Sequence, residues 1–224
     1  MDYCDFFASP DGSGVLIALA DGMGGYQGGE VASELAVSTA IEIFQQTGFA
    51  NPMASMEEAF LLANQRILEK QSQDEAYRGM GTTMVLAAMS RTQLIVGHMG
   101  DSRATLFRNQ FLKRLTLDHL AIVEAEGVLD NGAKSDPRYK GRANILSRYL
   151  GGPRVNPDFC TENVEPGDVI FLASDGITEY VLEDRICAVL LKTGNLSLAA
   201  TQIVDEAIDN GSHDHCSVAI ARVM

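Results

Sequence analysis

The chain has 224 residues, of which 46% are hydrophobic and 21% charged, and such a composition excludes wholesale disorder. Thirty acidic residues against seventeen basic ones give a formal net charge of −13. This charge disfavours nucleic acid and anionic membranes as partners, since both require a clustered basic face. The apolar runs are strand-sized and no signal sequence is visible, so we expect one cytoplasmic domain over residues 1–224. The four scattered cysteines predict free thiols.

Strands are predicted in three parts of the chain. Residues 15–20 form a continuous apolar run, as in a strand covered on both faces. Three segments with very short connections then predict an antiparallel meander: 83–90, 93–99 and 103–108. Two further strands are predicted near the end of the sequence: 169–174 and 217–223.

Helices are predicted between these strands. An apolar stripe runs through residues 30–44, and residues 55–58 have the S-x-x-E form of a capping box that would open a helix reaching about Lys70. A third helix is predicted over 198–208, begun by Ser197. This order of elements predicts an α+β fold with the helices outside mixed sheets.

Four aspartates stand at the ends of predicted strands. Asp21 and Asp175 each close an apolar run and precede a glycine, Asp101 follows a strand and a glycine, and Asp214 shortly precedes the last strand. Acids gathered at one edge would repel one another unless cations neutralise them, and oxygen ligands suit Mg²⁺ or Mn²⁺. An Asp-Gly pair is also a common turn. The pattern alone therefore leaves a divalent metal site and ordinary turns both open.

Several short motifs occur in a fixed order along the chain: A-D-G-M-G-G at 20–25, G-T-T at 81–83, G-D-S-R at 100–103, L-T-L-D-H at 115–119 and A-S-D-G at 173–176. Together they closely resemble the motifs of the metal-dependent serine/threonine protein phosphatases, the PPM or type 2C family, in its compact bacterial form. The resemblance covers nearly the whole chain. It implies a four-layer α-β-β-α sandwich of two central antiparallel sheets flanked by helices.

The resemblance also implies the chemistry. It predicts hydrolysis of phosphoserine and phosphothreonine by a water that two Mn²⁺ or Mg²⁺ ions activate, with Asp21, Asp175 and Asp214 as the catalytic carboxylates. The family's metal ligands match Asp21, Gly22 through its carbonyl, Asp101, Asp175 and Asp214. Asp101 and Glu179 would help bind a weaker third ion. The implied partners are phosphorylated proteins that a serine/threonine kinase supplies, and we expect a monomer.

Residues 130–142 combine Gly, Asn, Pro and charged residues without apolar periodicity, which predicts a surface loop. In the family this stretch corresponds to a flap over the site. Lys140, Arg142 and Arg148 are therefore candidate substrate-binding residues, although each could instead be a solvated cation or a salt-bridge partner.

The sequence departs from the family pattern at three places. Family members begin about one strand earlier, with an Arg that binds phosphate and an acid before an Asp, so the domain is expected to lack that first strand. Asp2 is the preferred match to that Asp, and Asp5 also fits. Met23 replaces a histidine found in many eukaryotic members, and His215 replaces an Asn. A truncated chain, a misassigned start, a weakened second-metal site and a non-catalytic member that binds phosphoproteins all stay open.

One further motif points to a different chemistry. His215, Cys216 and Arg222 match the H-C-x5-R signature of cysteine-based phosphatases, whose loop binds phosphate at the N-terminus of a helix. The intervening residues alternate as in a strand, and no helix can follow, so we discount this alternative. His98 and His119 are interpreted as a hydrogen-bonded core residue and a loop-positioning residue.

Overall fold

The computed structural model describes residues 1–126 and 144–224. Its strands are β1 Asp2–Ala8, β2 Val15–Met23, β3 Gly81–Thr82, β4 Met84–Met89, β5 Gln93–Met99, β6 Arg103–Arg108, β7 Phe111–Arg114, β8 Asp158–Asn163, β9 Val169–Ala173 and β10 Val218–Arg222. Its helices are α1 Gly25–Thr47, α2 Pro52–Gln73, α3 Ala121–Glu126, α4 Asp175–Thr178, α5 Glu183–Lys192 and α6 Leu196–Asp209. None of the described helices is long and apolar enough to cross a bilayer.

The strands form two antiparallel sheets. The first has the order β1-β2-β4-β5-β8, with β3 paired to the end of β2, and the second has the order β10-β9-β6-β7. Alternation along β2 explains the layering, because successive side chains point to opposite faces. Leu16 and Ala18 belong to the core shared with α1 and α2, whereas Ile17 and Leu19 belong to the core between the two sheets.

The helices cover the outer faces of both sheets. Phe44 of α1 and Phe60 of α2 are fully buried against the first sheet. Ile186 of α5 and Ile203 of α6 are buried against the second sheet, beside Phe171 of β9. The α+β sandwich with helices outside two central antiparallel sheets is therefore confirmed in the described part of the chain.

The predicted strands agree with the structure to within a few residues, and β5 and β6 have the predicted bounds. The capping box is wrong, because Asn51 caps α2 and accepts a hydrogen bond from the Ala54 N–H (3.4 Å). Ser55 lies within the helix, where its hydroxyl donates to the Asn51 carbonyl (3.2 Å). Likewise Asn195, rather than Ser197, caps α6.

Seven described elements have no counterpart in the sequence prediction: β1, β3, β7, β8, α3, α4 and α5. The predicted flap over residues 130–142, which includes Lys140 and Arg142, lies entirely outside the described residues. It stays a prediction.

Candidate active site

One cleft at an end of the sandwich collects the predicted acids. Its volume is about 520 Å³, and its lining includes all four strand-end aspartates, Asp21, Asp101, Asp175 and Asp214. The cleft is also lined by Gly22, Met23 and Thr83, and by Asn144, Ile145, Leu146 and Tyr149. The structure thus brings together acids that lie up to 193 positions apart along the chain (214 minus 21).

Strand direction explains why these acids meet. Asp21 lies near the end of β2 and is paired with Asp2 at the start of the antiparallel strand β1. Asp175 follows the end of β9, and Asp214 precedes β10, which pairs with β9 in the antiparallel sense. Asp101 lies in the turn between β5 and β6. All of these ends lie on the same side of the sandwich.

The acids around Asp21 repel one another. Burial, followed by the carboxylates of Asp2 and Asp175, raises the pKa of Asp21 to about 9, although the amino group of Met1 opposes this shift from 4.0 Å. Both oxygens of the Asp2 carboxylate are buried and receive no well-formed hydrogen bond from the described residues. Such carboxylates suit hard divalent cations, which would remove the repulsion.

The register also separates the two candidate matches to the N-terminal motif. Asp2 lies opposite Asp21, whereas Asp5 is exposed and lies opposite Ala18, three residues further along the ladder. Asp2 is therefore the one that can contribute to the cleft.

Gly22 occupies a place where no side chain fits. A Cβ atom there would lie 1.9 Å from the carbonyl oxygen of Gly29 in the first turns of α1. The Gly22 carbonyl, the predicted backbone ligand, accepts a hydrogen bond from the amino group of Met1 (2.9 Å). Glycine is required here for close contact between two backbones.

Thr83 holds the backbone of Asp21 in place. The Thr83 hydroxyl accepts a hydrogen bond from the Asp21 N–H (2.9 Å), and the Thr83 N–H donates to the Asp21 carbonyl (2.9 Å). The same hydroxyl is bonded to the hydroxyl of Ser102 (2.7 Å), the residue after Asp101. One threonine therefore connects two of the acidic strand ends, a role that the motif alone did not reveal.

His119 holds the turn that carries Asp101. Its ring Nδ1 accepts a hydrogen bond from the Gly100 N–H (3.1 Å), and the backbone N–H of His119 donates to the Gly100 carbonyl (3.0 Å). Gly100 has a φ of 115°, which favours glycine. The ring of His98 stacks on that of His119 with 4.4 Å between centroids, and its Nε2 bonds to the Leu117 carbonyl (2.8 Å). Both interpretations of these histidines are confirmed.

Of the predicted basic contacts, Arg148 is the one within the described residues, and it is placed differently. Arg148 does not line the described cleft, and its guanidinium donates to the carboxylates of Glu124 (2.6 Å) and Asp158 (2.8 Å). Glu179 is exposed after α4 and does not line the cleft either. Their roles in binding substrate and a third ion stay predictions.

Asp214 differs from the other acids because its side chain is 58% exposed, and it accepts a hydrogen bond from the His215 N–H (2.7 Å). The neighbouring thiol of Cys216 contacts the Gly176 carbonyl (3.3 Å). Residues after Cys216 enter β10 rather than a loop and helix that could bind phosphate. This geometry rules out the cysteine-phosphatase motif as the catalytic site.

One group of cleft-lining residues was missed by sequence reasoning. Asn144, Ile145, Leu146 and Tyr149 follow the predicted flap in a stretch without helical or strand periodicity. Leu146 and Leu150 are placed by isolated β-bridges to Leu120 and Thr82. Such long-range bridges leave no local signal in the sequence.

A family profile described as protein phosphatase 2C matches residues 2–208. The chain belongs to the protein phosphatase 2C family. Its sequence is 32% identical to protein phosphatase PhpP of Streptococcus pneumoniae, over 98% of this chain and 89% of PhpP. These findings confirm the family that the motifs predicted.

Solved structures of the family have the same fold. The serine/threonine phosphatase of S. agalactiae aligns with a TM-score of 0.86 and 30% identity, over 100% of this chain and 93% of that one. The catalytic domain of the phosphatase PstP in complex with two manganese ions aligns with a TM-score of 0.81 and 27% identity, over 98% and 90% of the two chains.

Proposed function

We propose that this member of the protein phosphatase 2C family hydrolyses phosphoserine and phosphothreonine in proteins, using divalent metal ions held in the acidic cleft. The observation that carries the proposal is the convergence of Asp21, Asp101, Asp175 and Asp214 on one cleft. The raised pKa of Asp21 adds to it, because so many acids in one place are unfavourable unless cations balance them. The family relationship supports the reaction class.

The residues present fit two ions. By family pattern, Asp21 would bridge both, Asp175 and Asp214 would hold one, and the Gly22 carbonyl would hold the other, with Asp101 at a weaker third position. Asp2, whose buried oxygens face Asp21, would balance charge beside the second ion. When bound, the ions supply a water of lowered pKa and positive charge for the phosphoryl oxygens. The oxygen-only donor set suits Mn²⁺ and Mg²⁺ alike.

The chain's own residues position and shield the reaction rather than attack phosphorus. Among the described residues that line the cleft, Thr83 has a hydroxyl beside Asp21, and this hydroxyl is already bonded to the Asp21 N–H and to Ser102. Met23 lines the cleft, and by family pattern it replaces a histidine found in many eukaryotic members. We therefore assign the attack to water and the leaving-group proton to solvent.

The substrate would contact the cleft-lining residues that follow the predicted flap. The Asn144 amide and the Tyr149 hydroxyl can hydrogen-bond a phosphopeptide there, and Lys140 and Arg142 remain proposed contacts from the predicted flap. We further propose that residues 1–224 act as one domain, as a monomer in the cytoplasm, on the substrates of a serine/threonine kinase. The net charge of −13 disfavours nucleic acid or a membrane surface as a partner.

An aryl-phosphate and phosphopeptide assay tests the proposal. We expect turnover with Mn²⁺ or Mg²⁺, none after chelation, a loss of at least about 10³-fold in Asp21→Asn, and no change in Cys216→Ser. Metal-independent turnover that Cys216→Ser abolishes would contradict the proposal. Metal binding without turnover would instead support the phosphoprotein-binding alternative.

A further inference from the structure

We propose that Arg148, Asp158 and His119 form a chain of positioning residues that sets Asp101 in the cleft through Gly100. The inference rests on the proposed function, since it concerns how firmly Asp101 can hold a divalent ion. It assigns Arg148 a role other than the substrate contact predicted from the sequence.

The inner end of this chain is the pair of hydrogen bonds between His119 and Gly100. They engage both backbone groups of Gly100, its N–H at 3.1 Å and its carbonyl at 3.0 Å. Gly100 immediately precedes Asp101, whose side chain is buried at the cleft. Because Gly100 has a positive φ of 115°, its orientation and that of the next residue depend on these bonds.

The hydrogen bonds of His119 also fix its tautomer. The Gly100 N–H points to Nδ1, so Nδ1 must be the unprotonated nitrogen. Nε2 then carries the hydrogen and donates to the Asp158 carboxylate (3.1 Å). Burial, with smaller contributions from His98 and Arg148, lowers the pKa of His119 to about 4, which agrees with a neutral ring. Asp158 therefore selects the tautomer that can accept from Gly100.

Arg148 in turn holds Asp158. Its guanidinium donates to the second oxygen of Asp158 (2.8 Å), to the Glu124 carboxylate (2.6 Å) and to the Asn156 carbonyl (3.2 Å). Burial raises the pKa of Asp158, but hydrogen bonds from Arg148 and His119 outweigh it, so its pKa lies below the ordinary value. The carboxylate therefore remains an acceptor for the His119 ring.

His98, His119 and Asp158 lie close enough together to suggest a further cation site outside the cleft. The hydrogen bonds argue against it. A metal on Nε2 of His119 would require the proton on Nδ1, where it would face the Gly100 N–H. This cluster is better explained as a hydrogen-bonded support for Gly100.

Two substitutions of His119 separate its two contacts. His119→Asn places an amide oxygen near the position of Nδ1 and keeps the acceptor for Gly100. His119→Gln places an amide nitrogen near Nε2 and keeps the donor to Asp158 but loses that acceptor. We expect Mn²⁺ binding at the Asp101 position to weaken about tenfold in the Gln variant and less than about threefold in the Asn variant.

Variants of two partly exposed residues test the same contacts with less disturbance of the fold than the buried His119 variants. Asp158→Ala and Arg148→Ala are expected to weaken the same Mn²⁺ site about three- to tenfold. Arg185→Ala is the matched control. Arg185 makes a comparable surface ion pair with Glu206 (2.8 Å), and neither residue lines the cleft. It should leave Mn²⁺ binding unchanged.

The readouts are a Mn²⁺ titration followed by EPR and ¹⁵N NMR of the His119 ring, with the Asp101 position identified as the binding lost in Asp101→Asn. In the wild type we expect a protonated Nε2 and an unprotonated Nδ1, and in Asp158→Ala a mixture of tautomers. Adding His119→Gln to Asp101→Asn should weaken Mn²⁺ binding no further.

Lower melting temperatures with unchanged Mn²⁺ binding in the Asp158, Arg148 and His119 variants would overturn the inference while the phosphatase function stands. Equal effects of His119→Gln and His119→Asn would also overturn it. If the wild type bound no Mn²⁺ and hydrolysed no phosphopeptide, the proposed function would fail first and the inference with it.

Discussion

Strand β9 has an aspartate at each end, and the negative charge of the acids is balanced differently at the two ends. At its start, Asp168 is 4% exposed and is held by Arg108, whose Nε lies 2.8 Å from one carboxylate oxygen. Hydrogen bonds from that guanidinium hold the pKa of Asp168 below its ordinary value. At the other end, the acids gather around Asp21, and its pKa is raised to about 9.

This difference separates a structural role of buried acids from a role in binding cations. An acid balanced by a fixed arginine contributes to the stability of the fold by itself. Acids placed against one another destabilise the metal-free fold and favour the binding of a cation from solution. Burial of carboxylates therefore indicates function only where the balancing charge is not supplied by the described chain.

Among the variants of the two ends, Asp21→Asn should have the largest effect. We expect it to abolish metal-dependent turnover and, in the absence of metal, to raise the free energy of unfolding by about 1–2 kcal/mol, because a repelling acid is removed from the cleft. Urea unfolding with chelator present measures the second effect. A metal-free variant less stable than the wild type would show that the acids do not oppose folding.

The pH dependence of stability should have opposite signs at the two ends. Asp21 binds a proton more tightly in the folded state, so the metal-free protein should lose stability as pH rises from 5 to 8, by at most about 4 kcal/mol. Asp168 binds its proton less tightly when folded, so its contribution is present above about pH 4 and is lost below it.

Urea unfolding at several pH values in chelator measures both slopes. Asp21→Asn should flatten the loss between pH 5 and 8, and saturating Mn²⁺ should do the same in the wild type. A slope unchanged by either treatment would mean that another group titrates there.

Arg108→Ala tests the balanced end. It leaves the Asp168 carboxylate buried with one remaining hydrogen bond, from the Glu165 N–H (2.8 Å), and should cost about 2–4 kcal/mol of unfolding free energy. Turnover with Mn²⁺ should change little, because Arg108 lies at the opposite end of the strand from the cleft. Arg185→Ala, at an exposed pair, should cost at most about 1 kcal/mol.

Thr83→Val is expected to have the smallest effect of these variants. It keeps the shape of the side chain but removes the hydroxyl that bonds the Asp21 N–H and Ser102. We expect a loss of about 1–2 kcal/mol in stability and roughly tenfold in kcat. Thr105→Val, at a buried hydroxyl with a single longer bond to the Phe171 carbonyl (3.3 Å), is the control and should leave kcat unchanged.

The sequence analysis succeeded where burial on both faces produces a continuous apolar run. Strands β2, β5 and β9 were predicted for this reason, and the acids at their ends followed directly. It failed at β1, where Asp2, Cys4 and Asp5 interrupt the apolar pattern of an edge strand, and at β8, which is only partly buried.

The capping error has a local cause. Two polar residues, Asn51 and Ser55, both precede an apolar stripe. Pro52 at the first helical position favours Asn51 as the capping residue. The placement of residues 144–149 at the cleft and the ion pairs of Arg148 depend on contacts between distant segments. No local pattern of residues could have predicted them.

The contact between Gly22 and Gly29 has a consequence for variation at this site. Where two main chains touch without any intervening side chain, even one added methyl group must push the first helix away from the sheet. Alanine at either position would therefore shift the carbonyl proposed to face the second ion, and mutational tolerance should be lowest at these two smallest residues rather than at the bulky ones of the core.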